Sequence, residues 1–146
     1  MKIVICSSAF FVEKAEKIKE KIKSKHEVFL YPLEVEFNGK KISILDYYKL
    51  RKKKLTKDLL KIKTELIKEH IKKIENSDAI LVLNFDKENI KGYIGGNTFL
   101  EIVIAYYLNK KIFLWKKPSK KLPYYEEILA LKPIILNESI EKLLIN

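Results

Sequence analysis

Cysteine and long apolar runs are scarce in this 146-residue chain, and each scarcity excludes a class of protein. The one cysteine, Cys6, excludes an internal disulfide and fits a reducing, cytoplasmic compartment. No apolar run reaches the roughly 18 to 20 residues of a membrane span. The opening MKIVICSS is too short for a signal peptide and indicates a first strand instead. Histidine, cysteine and acidic residues do not occur at metal-ligand spacing, so neither a metal nor another cofactor is expected.

Glycine and arginine are also rare. The four glycines form neither GxGxxG nor GxxxxGK[ST], which excludes the Rossmann and P-loop fingerprints. Arg51 is the one arginine among 30 basic residues, although the net charge is +11. Arginine is the usual residue for bidentate contacts to phosphates and bases, so its scarcity argues against nucleic acid as a partner. The richness in lysine and glutamate resembles the charged surface of a thermophile protein.

What remains is the composition of one globular domain over residues 1–146, with 47% hydrophobic and 34% charged residues. Alternating strands and helices predict an α/β, flavodoxin-like three-layer sandwich with a five-stranded parallel sheet of order 2-1-3-4-5. The expected sheet strands run from Lys2 to Cys6, His26 to Tyr31, Ala79 to Leu83, Lys111 to Trp115 and Pro133 to Leu136. The expected helices run from about Val12 to Ser24, Tyr47 to Glu75, Thr98 to Leu108, Pro123 to Leu131 and Glu138 to Leu144.

An insertion interrupts this alternation at about residues 33–45, where apolar and polar residues alternate around Asn38-Gly39. Asn-Gly suits a type I′ turn, so a β-hairpin is expected. From Tyr47 to Glu75 there is no glycine or proline and apolar residues recur every three or four positions, which predicts one long helix. Such a helix would overhang the sheet. It would close over a pocket, or pack on a second subunit in a homodimer or higher homo-oligomer.

The helix expected after Thr98 is apolar almost all round and should be largely buried. Glu101 is its one charge, and burying an ionised carboxylate costs several kcal/mol. Two explanations stay open at this point. Glu101 is either a structural residue, paired with a lysine or stabilised by its own helix dipole, or a catalytic carboxylate that faces a pocket.

Small polar residues follow the first and third strands, which are neighbours in the predicted sheet order. Ser7 and Ser8 precede a helix and either bind an anion or simply cap that helix. Gly95 and Gly96 would let the backbone approach a sugar or phosphate, and Tyr93 would stack on a base or serve packing. The candidate substrate-binding residues are therefore Cys6, Ser7, Ser8, Tyr93, Gly95, Gly96, Asn97 and Thr98.

The segment from Ser77 begins with the strand SDAILVL and continues through a polar loop, Gly95-Gly96, Thr98, Glu101 and Ala105. This pattern resembles the nucleoside 2-deoxyribosyltransferase-like family, which includes base-exchanging transferases and hydrolases of deoxynucleoside monophosphates. The resemblance implies a small nucleoside or nucleotide substrate and a pocket built at a subunit contact. It also implies that Glu101 is the nucleophile that attacks the anomeric carbon.

A second catalytic group is expected to help the base depart or to activate water, and Asp86, Glu88 and Asp46 are candidates by position. A second hypothesis remains beside the enzyme: a nucleotide-binding module of the same fold without turnover. It is suggested by Val103, where many family members have glycine, and by the lack of an aspartate just before the glycine turn.

Overall fold

The computed structural model describes residues 1–145. Its strands, in chain order, are β1 (Lys2–Cys6), β2 (Glu27–Phe29), β3 (Glu34–Phe37), β4 (Lys40–Ser43), β5 (Ala79–Val82), β6 (Lys111–Leu114) and β7 (Ile134–Ile135). Its helices are α1 (Val12–Ile22), α2 (Ile44–Lys53), α3 (Lys57–Glu75), α4 (Gly96–Tyr107), α5 (Tyr125–Ala130) and α6 (Glu141–Leu144), and a 3₁₀ turn (Ala9–Phe11) precedes α1. The predicted sheet strands are all present, and so are the predicted helices except the long one from Tyr47 to Glu75; most ends lie within three residues of the expected ones.

The central sheet has five parallel strands in the order β2-β1-β5-β6-β7. Without the hairpin strands, this is the predicted order 2-1-3-4-5, so the flavodoxin-like topology is confirmed. Every residue of β5 is buried, as expected for a parallel strand that helices cover on both faces. The carboxyl ends of β1 and β5 lie side by side, with Cys6 paired to Val82. The loops that follow these two strands therefore start at one place.

Alternate residues of β1 enter different apolar layers. Ile3 and Ile5 pack with the buried faces of α1 and α6. Val4 and Cys6 point to the other side, into a layer formed with α3, α4 and α5. The two-residue period of the strand thus directs Cys6 toward the helix that carries Glu101.

The predicted hairpin is confirmed: β3 and β4 pair antiparallel, and Asn38 and Gly39 connect them. Both turn residues have positive φ, 52° and 73°, as a type I′ turn requires. Val35 of the hairpin packs in a small separate core with Tyr47 and Leu59. The insertion therefore has an apolar contact of its own that fixes it against α3.

The prediction of a single long helix from Tyr47 to Glu75 is wrong, because the helical conformation is interrupted between α2 and α3. Lys54 is extended, with φ −158° and ψ 121°. The Thr56 hydroxyl accepts a hydrogen bond from the N–H of Leu59 at 3.2 Å and caps α3. A threonine cap followed by Asp58 in the first turn is a start signal, and it outweighs the absence of glycine and proline. The break allows α2 to fold over the edge of the sheet.

The expectation that α4 is largely buried holds for one face only. Thr98, Glu101, Ile102 and Ala105 are buried, whereas Leu100, Val103, Tyr106 and Tyr107 are 39% to 82% exposed. An apolar sequence thus does not ensure burial, because the opposite face of α4 has no partner among residues 1–145. With twelve residues, α4 is also far shorter than a membrane span, and no helix among residues 1–145 combines the required length and apolarity.

Candidate active site

A cavity of about 210 Å³ opens at the carboxyl edge of the sheet. The loops after β1 and β5, the start of α4, and one side of α2 and α3 enclose it. Eight of the residues proposed from the sequence line it: Ser7, Ser8, Tyr93, Gly95, Gly96, Asn97, Thr98 and Glu101. They meet because parallel strands end at the same edge of the sheet, as the predicted strand order requires.

Glu101 lies at the bottom of this cavity, on the inner face of α4, and is 8% exposed. Its Oε1 accepts a hydrogen bond from Asn97 Nδ2 at 3.1 Å, one helical turn earlier. His70 Nε2, from α3, lies 3.5 Å from the same oxygen. Within the described part of the chain, Glu101 Oε2 has no hydrogen-bond partner. Oε2 is itself buried, so neither a described protein group nor bulk water satisfies it.

Burial raises the pKa of Glu101 to about 7, although hydrogen bonds from the Cys6 thiol and Asn97 and the charge of Lys63 oppose the shift. Burial, and then the charge of Lys73, lowers the pKa of His70 to about 4. His70 is therefore neutral at neutral pH, and its contact with Glu101 is not an ion pair. A carboxyl group that titrates near neutrality in a cavity is typical of a functional site.

Cys6 lies beneath the cavity and does not line it, so the structure does not place it as a substrate contact. It is fully buried, and its Sγ lies 3.5 Å from His70 Nε2. Burial raises the pKa of the thiol, and the nearby Glu101 carboxylate raises it further. We call Cys6, His70 and Glu101 the floor cluster.

The start of α4 faces the cavity with free backbone donors. Gly95 is the N-cap residue and offers no side-chain cap. The first helical hydrogen bond joins Phe99 N–H to Gly95 O at 2.9 Å, so the N–H groups of residues 96–98 precede it. Donors at a helix N-terminus, with the positive end of the helix dipole, favour an anionic or oxygen-rich ligand.

Ser8 caps the 3₁₀ turn that precedes α1, and not α1 itself, which has no side-chain cap. Its Oγ accepts a hydrogen bond from the N–H of Phe10 at 3.3 Å and lies 3.3 Å from Lys87 Nζ. Ser7 Oγ lies 3.1 Å from the hydroxyl of Tyr31, another residue of the cavity wall. Both serines therefore form part of the cavity wall, and one of them, Ser8, also acts as a cap.

The side of the cavity nearest solvent, which we call the rim, is basic. Arg51 and Lys52 of α2, Lys63 of α3 and Lys87 of the loop after β5 all line the cavity. Glu101 is the one acidic residue among the lining residues. Burial, followed by the charge of Arg51, lowers the pKa of Lys63 to about 8. This excess of positive charge favours an anionic ligand.

Aromatic rings hold the rim lysine in place. Lys87 Nζ donates a hydrogen bond to the Tyr48 hydroxyl at 2.7 Å and lies 4.8 Å from the centre of that ring. It also lies 5.1 Å from the centre of the Tyr93 ring. Arg51 stacks over Tyr47 at 5.0 Å, and its buried Nε has no partner among residues 1–145. Contacts of a cation with a ring face are attractive, so these charges are positioned while their donors remain usable.

Asp86, the proposed second catalytic residue, does not line the cavity. Its carboxylate accepts a hydrogen bond from Gly92 N–H at 2.8 Å and lies 3.1 Å from Lys116 Nζ. The Gly92 hydrogen bond and then Lys116 lower the pKa of Asp86. Gly92 itself has φ +65°, and a Cβ there would lie 2.3 Å from the carbonyl oxygen of Lys117. Asp86 thus anchors a tight loop, because its carboxylate is directed to the backbone.

The two other positional candidates, Glu88 and Asp46, are also absent from the cavity lining. Val103 lies on the exposed face of α4 and does not fill the cavity. The salt bridges of the described residues give Glu101 no lysine partner. The structure therefore brings the carboxylate and the predicted binding loops together, without a second carboxylate among the described wall residues.

The histidine and the basic residues of the cavity wall were missing from the sequence-based site: His70, Arg51, Lys52, Lys63 and Lys87. One signal for His70 was present, because Leu66, His70 and Ile74 recur every four residues on the inward stripe of α3. A histidine on an apolar stripe indicates a buried polar group in need of a partner. The four basic residues gave no comparable signal, because the chain has 30 lysine and arginine residues in all.

No family model and no curated protein matches the sequence. Solved structures do resemble it. A CMP N-glycosidase, BcmB from Clostridium botulinum, is 15% identical, with 100% of both chains covered and a TM-score of 0.51. A 2-deoxyribosyltransferase from Bacillus psychrosaccharolyticus is 21% identical, with 84% of this chain and 76% of that chain covered and a TM-score of 0.49. The resemblance to the nucleoside 2-deoxyribosyltransferase-like family is thus confirmed at the level of the fold, which this chain shares over the full length of the CMP N-glycosidase.

Proposed function

We propose that this protein cleaves or transfers the N-glycosidic bond of a nucleoside 5′-monophosphate, with Glu101 as the nucleophile. The observation that carries the proposal is a buried carboxylate, with one oxygen unpartnered, at the bottom of a cavity whose other charged wall residues are basic. The fold shared with a CMP N-glycosidase supports the same chemistry.

The charge distribution supports a phosphorylated substrate over a free nucleoside. Arg51 and Lys63 offer charge-assisted hydrogen bonds to a phosphate, and such bonds are about twice as strong as neutral ones. The backbone N–H groups at the start of α4 lie one turn before Glu101 and suit the sugar oxygens. Tyr48 and Tyr93 line the cavity beside Lys87, and their aromatic rings suit contact with the base.

The proposed reaction has two steps. A carboxylate oxygen of Glu101 bonds to the anomeric carbon as the bond to the base nitrogen breaks, and that electron pair leaves with the base, which takes a proton from water. Water then attacks the glycosyl ester and releases the sugar phosphate, or a second free base attacks and completes a transfer. In both cases the Glu101 carboxylate is regenerated.

The test is release of free base from a panel of nucleosides and their 5′-monophosphates, measured by chromatography at elevated temperature. Wild type is compared with Glu101→Gln, with exposed Glu65→Gln as the matched control. Release from monophosphates that Glu101→Gln abolishes and Glu65→Gln retains supports the proposal. Addition of a second base then separates transfer from hydrolysis, and equal release by wild type and Glu101→Gln contradicts the role of Glu101.

A nucleotide-binding module is the second candidate, and one observation favours it: no second carboxylate lines the cavity among the described residues. A module would bind nucleotides without turnover. It predicts that a monophosphate raises the melting temperature of wild type and Glu101→Gln alike, while neither protein releases base from any substrate.

We also propose that the protein is a homodimer, with the exposed face of α4 as the contact. The apolar stripe of α3, the surface expected from the sequence, instead turns inward at Leu59 and Ile74. Leu100, Val103 and Tyr107 remain exposed on α4. Light scattering should give twice the chain mass for wild type and the single chain mass for Val103→Lys, whereas a monomeric wild type contradicts the proposal.

A further inference from the structure

Three side chains that can ligate a metal meet beneath the cavity, although they are distant in the sequence. Cys6 ends β1, His70 lies on α3 and Glu101 on α4. Their ligating atoms all lie within 4.8 Å of one another. The Sγ of Cys6 is 3.5 Å from Nε2 of His70, which is 3.5 Å from Oε1 of Glu101.

The two separations that involve His70 Nε2 match the edges of a metal coordination tetrahedron. Zinc bonds of about 2.3 Å to sulfur and about 2.0 to 2.2 Å to nitrogen or oxygen, at tetrahedral angles, place neighbouring ligand atoms about 3.3 to 3.6 Å apart. Thiolate, imidazole and carboxylate are also the ligand types that Zn²⁺ prefers. The two measured distances fall within this interval.

Hydrogen bonding alone leaves this cluster poorly satisfied. His70 Nε2 faces Cys6 and Glu101 together, yet one ring nitrogen makes one good hydrogen bond, and 3.5 Å to an oxygen is already long. Glu101 Oε2 has no partner among residues 1–145. The exposed fractions of the three residues are only 0%, 4% and 8%, so bulk water does not compensate. One cation between the three groups would satisfy the sulfur, the nitrogen and the carboxylate together.

We propose that the floor cluster binds one borderline-soft divalent cation, Zn²⁺ or a similar ion, through Cys6 Sγ, His70 Nε2 and the Glu101 carboxylate. His70 and Glu101 line the cavity, so the ion has a route from solvent. Three protein ligands leave the fourth coordination position open toward the cavity, which distinguishes this site from a closed structural zinc site.

A metal ion bound at the floor cluster would affect the reaction of Glu101, and this part of the inference rests on the proposed function. The ion and the anomeric carbon compete for the same carboxylate, because a divalent cation on Glu101 withdraws electron density from both carboxylate oxygens and suppresses their attack on the sugar. The loaded protein is therefore inactive, and removal of the ion restores base release. Metal availability would then regulate the same site.

The experiment titrates the chelator-treated wild-type protein with Co²⁺, a spectroscopic substitute for Zn²⁺, without substrate. Because Cys6 is the one cysteine in the chain, a thiolate-to-cobalt absorption band identifies it as a ligand without any variant. We expect one ion per chain, displacement by Zn²⁺, and at least about tenfold weaker binding in His70→Gln and Glu101→Gln. Glu69→Gln, next to His70 on the exposed side of α3, is the matched control and should bind normally.

Binding without the thiolate band, or binding that His70→Gln and Glu101→Gln leave unchanged, overturns the site. A lack of Co²⁺ binding also overturns the site. Base release is measured separately with chelated and Zn²⁺-saturated protein. Full activity at saturating Zn²⁺ overturns the inhibitory role, whereas no activity in chelated protein contradicts the proposed function and leaves the metal titration as an independent result.

Discussion

The floor and the rim of the cavity differ in what controls their chemistry. In the floor cluster, burial is the largest cause of the pKa shift of Cys6, His70 and Glu101. On the rim, the cationic groups of Arg51 and Lys87 lie beside aromatic rings and closer to solvent. Dehydration thus sets the reactivity of the floor, and fixed charge sets the selectivity of the rim. Substitutions in the floor should change kcat, and substitutions on the rim should change KM.

The largest effect is expected for Glu101→Gln. Loss of the nucleophile should lower kcat by at least about a thousandfold, because no other carboxylate lines the cavity in the described part of the chain. The amide has nearly the same shape and no charge to bury, so the variant should fold and melt at least as high as wild type at neutral pH. Rates and melting curves are compared with Glu65→Gln. A kcat within tenfold of wild type would remove the distinction between floor and rim.

Arg51→Met tests the rim. Loss of a charge-assisted hydrogen bond is worth about 1.5 to 3 kcal/mol, so KM for a 5′-monophosphate should rise about 10- to 100-fold with little change in kcat. For the corresponding nucleoside KM should not change. Lys49→Met, an exposed position on the same helix, removes the same net charge away from the cavity. An equal effect of both variants would mean that general electrostatic attraction, and not a rim contact, governs binding.

The pH dependence of stability isolates the floor. The pKa of Glu101 rises from 4.5 to about 7 on folding, so the folded state keeps the proton to a higher pH than the unfolded state does. The stability of the folded state therefore falls as pH rises through that interval. The pKa of His70 falls from 6.5 to about 4, so its contribution to stability rises as pH rises through its own interval. The two contributions oppose each other in wild type.

Glu101→Gln removes the first contribution. Its stability advantage over wild type should therefore grow from about pH 4.5 to pH 7, as measured by chemical unfolding at several pH values. An advantage that is constant with pH would show that Glu101 titrates normally and that the floor is more hydrated than the structure indicates.

The smallest effect is expected for Tyr48→Phe, which keeps the ring beside Lys87 and removes one hydrogen bond. Stability should fall by no more than about 1 kcal/mol and KM should rise less than about fivefold. Tyr106→Phe, on the exposed face of α4, serves as the control. A change in kcat larger than the change in KM would show that the rim takes part in the chemical step.

Sequence reasoning worked where local chemistry decides the structure. Short runs of β-branched apolar residues correctly predicted the strands of the sheet, and Asn38-Gly39 correctly predicted the hairpin. It failed at the break between α2 and α3, where one threonine cap outweighs an otherwise continuous apolar period. It also failed on the outer face of α4, because hydrophobicity alone does not show which side has a partner.

The sequence by itself determined the order of the elements and the edge of the sheet where Ser7, Ser8 and the segment around Glu101 meet, because parallel strands end together. Only the tertiary structure decided which other groups join them. His70 and Arg51 lie on helices whose facing depends on packing, and the carboxylate of Asp86 is occupied by a backbone N–H that no spacing predicts. The shifted pKa values of the floor likewise arise from burial among three distant segments, and burial is a property of the folded chain.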